Sequence, residues 1–152
     1  MQLDHLLTKE TIRLQVRATG RMDVVQKAGE LLVASGNADA RYIEAMKHSL
    51  KTHGPYMVIV PGVALLHARP EDGVRQLCMS LVTLDPPIEF GNPDNDPVSV
   101  AFALGAEDNS KHVEAIAVLA GLLEDEQAME TIRHSTSVDE VLQIIAAAQA
   151  GE

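Results

Sequence analysis

The chain has 152 residues, 46% of them hydrophobic and 22% charged, the composition of one ordinary soluble globular domain. At this length folding buries roughly 68 to 70% of the unfolded surface, so the core needs neither disulfides nor a structural metal. The single Cys78 cannot make an intramolecular disulfide and suits a reducing compartment.

The net charge of −10 has the wrong sign for neutralising a phosphate backbone, and with no Trp, two Tyr and two Phe there are few rings to stack on bases. No nucleic-acid partner is expected. Apolar runs fall far short of a bilayer span, and the opening MQLDHLLTKE lacks the basic start and apolar stretch of a signal peptide, which predicts a cytoplasmic protein.

In chain order, residues 11–17 alternate Ile12, Leu14 and Val16 with polar neighbours, the period of a half-buried strand that opens the sheet. From Asp23 the period becomes helical, with Val24, Val25, Ala28, Leu31 and Leu32 on one face, Asp23 and Gln26 resembling a capping box and Gly36 stopping the run. A second helix from about Ala40 buries Tyr42, Ala45, Met46 and Leu50 and ends at Gly54-Pro55. Residues 56–60 (YMVIV) and 63–66 (VALL) are apolar on both faces and read as central strands. Another strand spans 77–84, closed by Asp85-Pro86-Pro87, with 88–90 as a short extension.

Residues 91–97 (GNPDNDP) are loop by composition, 98–104 return to a strand pattern, and 105–109 turn the chain. The last third is helical: 112–123, with Asp108, Asn109 or Ser110 as N-cap, a short helix over 127–133, and a final helix opened by Ser137 with Glu140 that buries Val138, Val141, Leu142 and Ile145. The Ala-rich end, AAAQAGE, is expected to fray. The expected fold is α/β, a single domain over 1–152 with a mixed central β-sheet flanked by α-helices.

Two histidines stand out. His67 follows the VALL run where a buried strand emerges at a sheet end, a favoured place for ligand sites, although position alone is better satisfied by an ordinary hydrogen-bonded strand-end histidine. His112 falls two or three residues past the cap of the Ala-rich helix, where unpaired N–H groups disfavour an imidazolium and favour an anion, with Lys111 beside it. A solvated first-turn histidine is the plainer alternative. His48 and His53 lack the i, i+4 spacing of a metal pair, Cys78 reads as a small core residue, and Asp94 and Asp96 read as turn residues. No GxGxxG, Walker A or GxSxG motif is present, so neither a nucleotide site nor a serine-hydrolase site has motif support.

At HGPYMVIVPGVALLHARPEDGV, Cys78, SLVTLDPPIEFGNPDNDPV and EDNSKHVEAIAVLAGLLED the chain resembles the enzyme IIA component of the phosphoenolpyruvate-dependent sugar phosphotransferase system, mannitol and fructose superfamily, nearest its ascorbate branch. The resemblance covers nearly the whole chain. It implies that His67 accepts a phosphoryl group from the carrier HPr and passes it to a cysteine of enzyme IIB, which serves the permease IIC. His112 would be the second active-site histidine. The chemistry so implied uses no cofactor and no metal, because a neutral imidazole is itself a nucleophile.

Arg69, Lys111 and the helix N-terminus after Asn109 are expected to hold phosphoryl oxygens, and Ala64, Leu65 and Leu66 to offer a docking patch unless buried beneath the sheet. The family's usual proline before the acceptor is Leu66 here, and an arginine of mannitol-type members falls near Ser49. The implied sugar is L-ascorbate or a related small acid or polyol. A homo-oligomer is left open. The competing readings are a regulatory IIA-like interaction protein, whose phosphorylation state controls a transporter or transcription factor, and a degenerate domain that no longer transfers phosphate.

Overall fold

Side-chain alternation along the inner strands decides the architecture. Ala64, Leu66, Val82, Leu84, Ala101 and Ala103 face one apolar cluster, while Val63, Leu65, Leu81, Val100, Phe102 and Leu104 face another. Every one of these residues is buried, so the sheet must be covered on both faces. In a computed structural model, which describes residues 1–150, it is. The last two residues of the tail expected to fray, Gly151 and Glu152, lie outside the described residues; up to Ala150 the tail is helical.

The sheet contains β1 (Ile12–Val16), β2 (Val58–Val60), β3 (Val63–Leu66), β4 (Cys78–Ile88) and β5 (Val98–Gly105), hydrogen-bonded in the order β1-β4-β5-β3-β2. β1 runs parallel to β4 and β3 parallel to β5, whereas the β4–β5 and β2–β3 pairs are antiparallel. The sheet is therefore mixed, as expected. Helices α2 (Arg21–Ala34) and α3 (Ala40–His53) cover one face. The other is covered by α1 (Leu3–Leu6), α4 (Asn109–Leu123), α5 (Glu126–His134) and α6 (Val138–Ala150). Among the described residues, no helix is long and apolar enough to cross a membrane.

Four local expectations are corrected. The YMVIV run is not a central strand: a 3-10 turn takes Pro55–Met57, and what remains, β2, is a three-residue edge strand with Ile59 partly exposed. The Asp85-Pro86-Pro87 sequence does not close the fourth strand, because β4 runs on to Ile88, with a register shift against β5 between Thr83 and Ile88 that accommodates residues lacking an N–H. Helix α2 starts two residues before Asp23, at Arg21, and the Asp23 carboxylate reaches back to accept the Thr19 N–H at 3.0 Å while pairing with Lys27. Gln26 instead accepts a hydrogen bond from Lys47 on α3. On α3, Ile43 joins Tyr42, Met46 and Leu50 in the core, and Ala45 is only half-buried.

Helices α2 and α3 approach closely because Gly29 has no side chain. A Cβ there would stand 2.6 Å from Ile43 Cγ1 and 3.2 Å from Met46 Cε. Overpacking of this kind costs about 1–3 kcal/mol, of which the better helix propensity of alanine returns at most about 1. Gly29→Ala is accordingly expected to lower the urea midpoint without changing the slope of the transition, read by circular dichroism.

Candidate active site

Strands β3 and β5 are parallel neighbours with Leu66 opposite Ala103, so their C-terminal ends emerge side by side. His67 is the first residue after β3, and β5 leads through a short turn into α4, whose first turn carries His112. Topology therefore brings together two residues 45 positions apart in the chain, with ring centroids 5.4 Å apart and planes inclined at 56°. Ligand sites collect at such strand ends.

Within the pair, His67 Nδ1 lies 3.0 Å from the Leu65 carbonyl oxygen. A carbonyl only accepts, so this contact places the proton on Nδ1 and leaves Nε2 with the free lone pair. Burial holds the His112 imidazole below the ordinary histidine value, with the neighbouring His67 charge as the lesser cause, so the resting ring favours its neutral form.

A cavity of about 280 Å³ opens beside both rings, lined also by Ser49, His53, Tyr56, Arg69 and Asn109. A larger cleft of about 670 Å³ adjoins it, sharing Ser49, His53, Ala68 and Arg69, and continues along α3 past His48. Tyr56 lies edge-on to His67, with centroids 6.0 Å apart at 89°.

Not every expected participant is in place. The cap of α4 is Asp108, whose carboxylate accepts the Lys111 N–H at 2.8 Å, and the His112 N–H bonds the Asp108 carbonyl. With the third amide capped and the fourth paired, the helix end offers less to an anion than its position suggested. Arg69 lines the cavity but is held by Asp72, 3.3 Å away, and by Glu71 at 3.6 Å. Lys111 is exposed and does not line the cavity.

The docking patch is also corrected: Ala64, Leu65 and Leu66 are all buried in β3. Exposed apolar side chains near the histidines are instead Tyr56, edge-on to His67, and Val113, which follows His112 and is 66% exposed. Leu66 is locked into the β3–β5 ladder, so the chain up to His67 is stiffened by pairing rather than by a proline ring.

Cys78 is buried in β4, where desolvation pushes its thiol up to about 12, as suits a core residue. Asp96 holds its own loop together: one carboxylate oxygen accepts the N–H groups of Phe90, Gly91 and Asn92.

Sequence reasoning missed what holds the two histidine-bearing segments in register. Tyr42, 1% exposed, donates its hydroxyl to the Leu104 carbonyl at 2.6 Å and accepts the Ala68 N–H at 3.0 Å. One phenol thus ties the end of β5 to the residue after His67, and burial pushes its pKa up. Its place on the apolar stripe of α3 marked it as core, and no local pattern shows where a hydroxyl points. Tyr42→Phe leaves a buried donor and acceptor unpaired at a cost of about 1–3 kcal/mol. The expected results are a lower melting temperature and broadened amide resonances at 67–69.

A model of the phosphoenolpyruvate-dependent sugar phosphotransferase system EIIA 2 family matches residues 5–148. The chain belongs to this family. The EIIA chain is 39% identical over 143 residues to the ascorbate-specific PTS system EIIA component of Shigella boydii, covering 93% of each. It superposes on the mannitol-specific cryptic phosphotransferase enzyme IIA of Escherichia coli with a TM-score of 0.87 and 30% identity, covering 97% of this chain and 99% of that one. A complex of a mannitol enzyme IIA with phosphorylated enzyme IIB, also from Escherichia coli, contains a chain matching at a TM-score of 0.83 and 28% identity, with 93% and 99% covered. An EIIA protein of this system is a phosphotransferase component.

Proposed function

We propose that this EIIA protein, one domain over residues 1–152, is a cytoplasmic phosphoryl carrier that takes phosphate from HPr onto His67 Nε2 and passes it to enzyme IIB. The observation that carries this reading is the His67–His112 pair at the ends of two parallel strands, with Nδ1 of His67 engaged by a backbone carbonyl. In the first step the Nε2 lone pair forms a nitrogen–phosphorus bond while the donor's nitrogen–phosphorus bond breaks, its electron pair returning to the donor imidazole. In the second, a cysteine thiolate of IIB attacks phosphorus and the pair returns to Nε2.

Throughout both steps the Nδ1 proton stays on the Leu65 carbonyl hydrogen bond. A protonated, phosphorylated ring is the better leaving group, so the same contact that selects Nε2 as nucleophile assists its departure. Most of the catalysis is positioning and charge stabilisation. His112 and the Asn109 amide supply donors at the cavity, and Tyr56 with Val113 offers apolar surface to the protein partners.

Ascorbate is the sugar this reading assigns to the downstream IIB and IIC, supported by the likeness to ascorbate-specific EIIA proteins over 93% of the chain. The test is intact mass after incubation with phosphoenolpyruvate, enzyme I and HPr. One acid-labile phosphoryl group is expected, discharged on adding a IIB protein from an ascorbate system. Failure to charge with a verified active donor would overturn the carrier reading, and discharge only to a mannitol-type IIB would overturn the sugar.

A further inference from the structure

The phosphoryl cavity contains a third imidazole. His53 is the last residue of α3, and Gly54 after it, at φ 78°, turns the chain so that Tyr56 follows within one 3-10 turn. The His53 ring lies edge-on to Tyr56, with centroids 6.2 Å apart at 80°, and Tyr56 in turn lies edge-on to His67. His53 lines the cavity beside His67 and also the larger cleft along α3, so it stands where the two meet. Helix carbonyls at that terminus favour a side chain that donates or carries positive charge.

Two other donors near the cavity are committed. The Arg69 guanidinium pairs with Asp72 and Glu71, and the third amide of α4 is taken by Asp108. Among the described residues, His53 has ring contact with Tyr56 but no hydrogen bond or ion pair of its own. Its exposed ring is held on one side by the edge contact with Tyr56, and its N–H is free to reach an oxygen in the cavity, as an oxyanion donor must be.

We propose that His53 is a catalytic residue of this phosphoryl transfer, donating a ring N–H to an equatorial oxygen of the phosphoryl group as it passes between the donor nitrogen and His67 Nε2. The inference rests on His67 being the acceptor. His53 forms no bond to phosphorus and keeps its proton: the bond that forms is Nε2–P, the bond that breaks is the donor N–P, and the pair returns to the donor.

The test is single-turnover transfer from phosphorylated HPr to wild type, His53→Ala, His53→Phe and His53→Gln. Removing an oxyanion donor costs up to about a hundredfold or more in enclosed sites; at this open cavity the alanine and phenylalanine variants are expected to be slower by about tenfold. The glutamine variant, which keeps a side-chain N–H, retains most of the wild-type rate. In wild type, the His53 imidazole ¹⁵N resonances move when His67 is phosphorylated. Rates within twofold of wild type for His53→Phe, or equal losses in the phenylalanine and glutamine variants, would overturn the proposal. A wild-type protein that takes no phosphate at all fails one step earlier, at His67 itself.

Discussion

His67→Ala is expected to take up no acid-labile phosphoryl group from phosphoenolpyruvate, enzyme I and HPr under conditions that charge the wild-type protein fully. A complete rather than graded loss is expected because the proposal makes His67 the nucleophile itself, whereas stabilising groups change only the barrier. The fold should survive. His67 is half-buried and makes one hydrogen bond, to the Leu65 carbonyl, so its removal costs about 1 kcal/mol. Intact mass at neutral and acidic pH measures the first effect and thermal unfolding the second. A charged His67→Ala protein would move the acceptor elsewhere in the cavity and sink the carrier mechanism as drawn.

His112→Ala carries the second largest effect, a slowing of transfer by about a hundredfold with the acceptor intact, the scale of losing one donor to developing charge. It also carries a pH signature. Burial, then the His67 charge, depresses the folded-state pKa of His112 below the ordinary 6.5, so the unfolded chain binds more protons at mildly acidic pH. That contribution to stability is fully present above 6.5 and is lost as pH falls through 6.5 toward the folded-state value. Wild type should therefore lose stability on acidification from pH 7, and His112→Gln should lose less over the same window, read from denaturant midpoints. Equal slopes for the two proteins would contradict the depressed value, and wild-type transfer rates in His112→Ala would remove the residue from the mechanism.

Much of the local structure was readable from residues alone. The C-terminal end of α3 follows from Gly54 and Pro55, the short helix expected over 127–133 is α5, and the VALL run proved central because every side chain on it is apolar. Where reading failed, a partner overrode the local pattern. YMVIV has the composition of an inner strand, yet its start is spent on a 3-10 turn and its end pairs only with β3. Ala64, Leu65 and Leu66 could have been surface or core by spacing, and burial between two helical layers settled it.

What the sequence determined by itself is the kind of fold, and it nominated two histidines that the fold then brings together. Period-two and period-3.6 apolarity specify which faces must be buried, and family resemblance singles out His67 and His112. Only the tertiary structure decided that the two rings meet at 5.4 Å, that Nε2 of His67 is the free nitrogen, that Tyr42 ties their segments together, and that His53 and Tyr56 share the cavity. The reason is physical. A residue's apolar character is local and can be read from its neighbours, but a hydrogen-bond partner or a ring contact depends on strands and helices distant in the chain, whose register is fixed only when both faces of the sheet are packed.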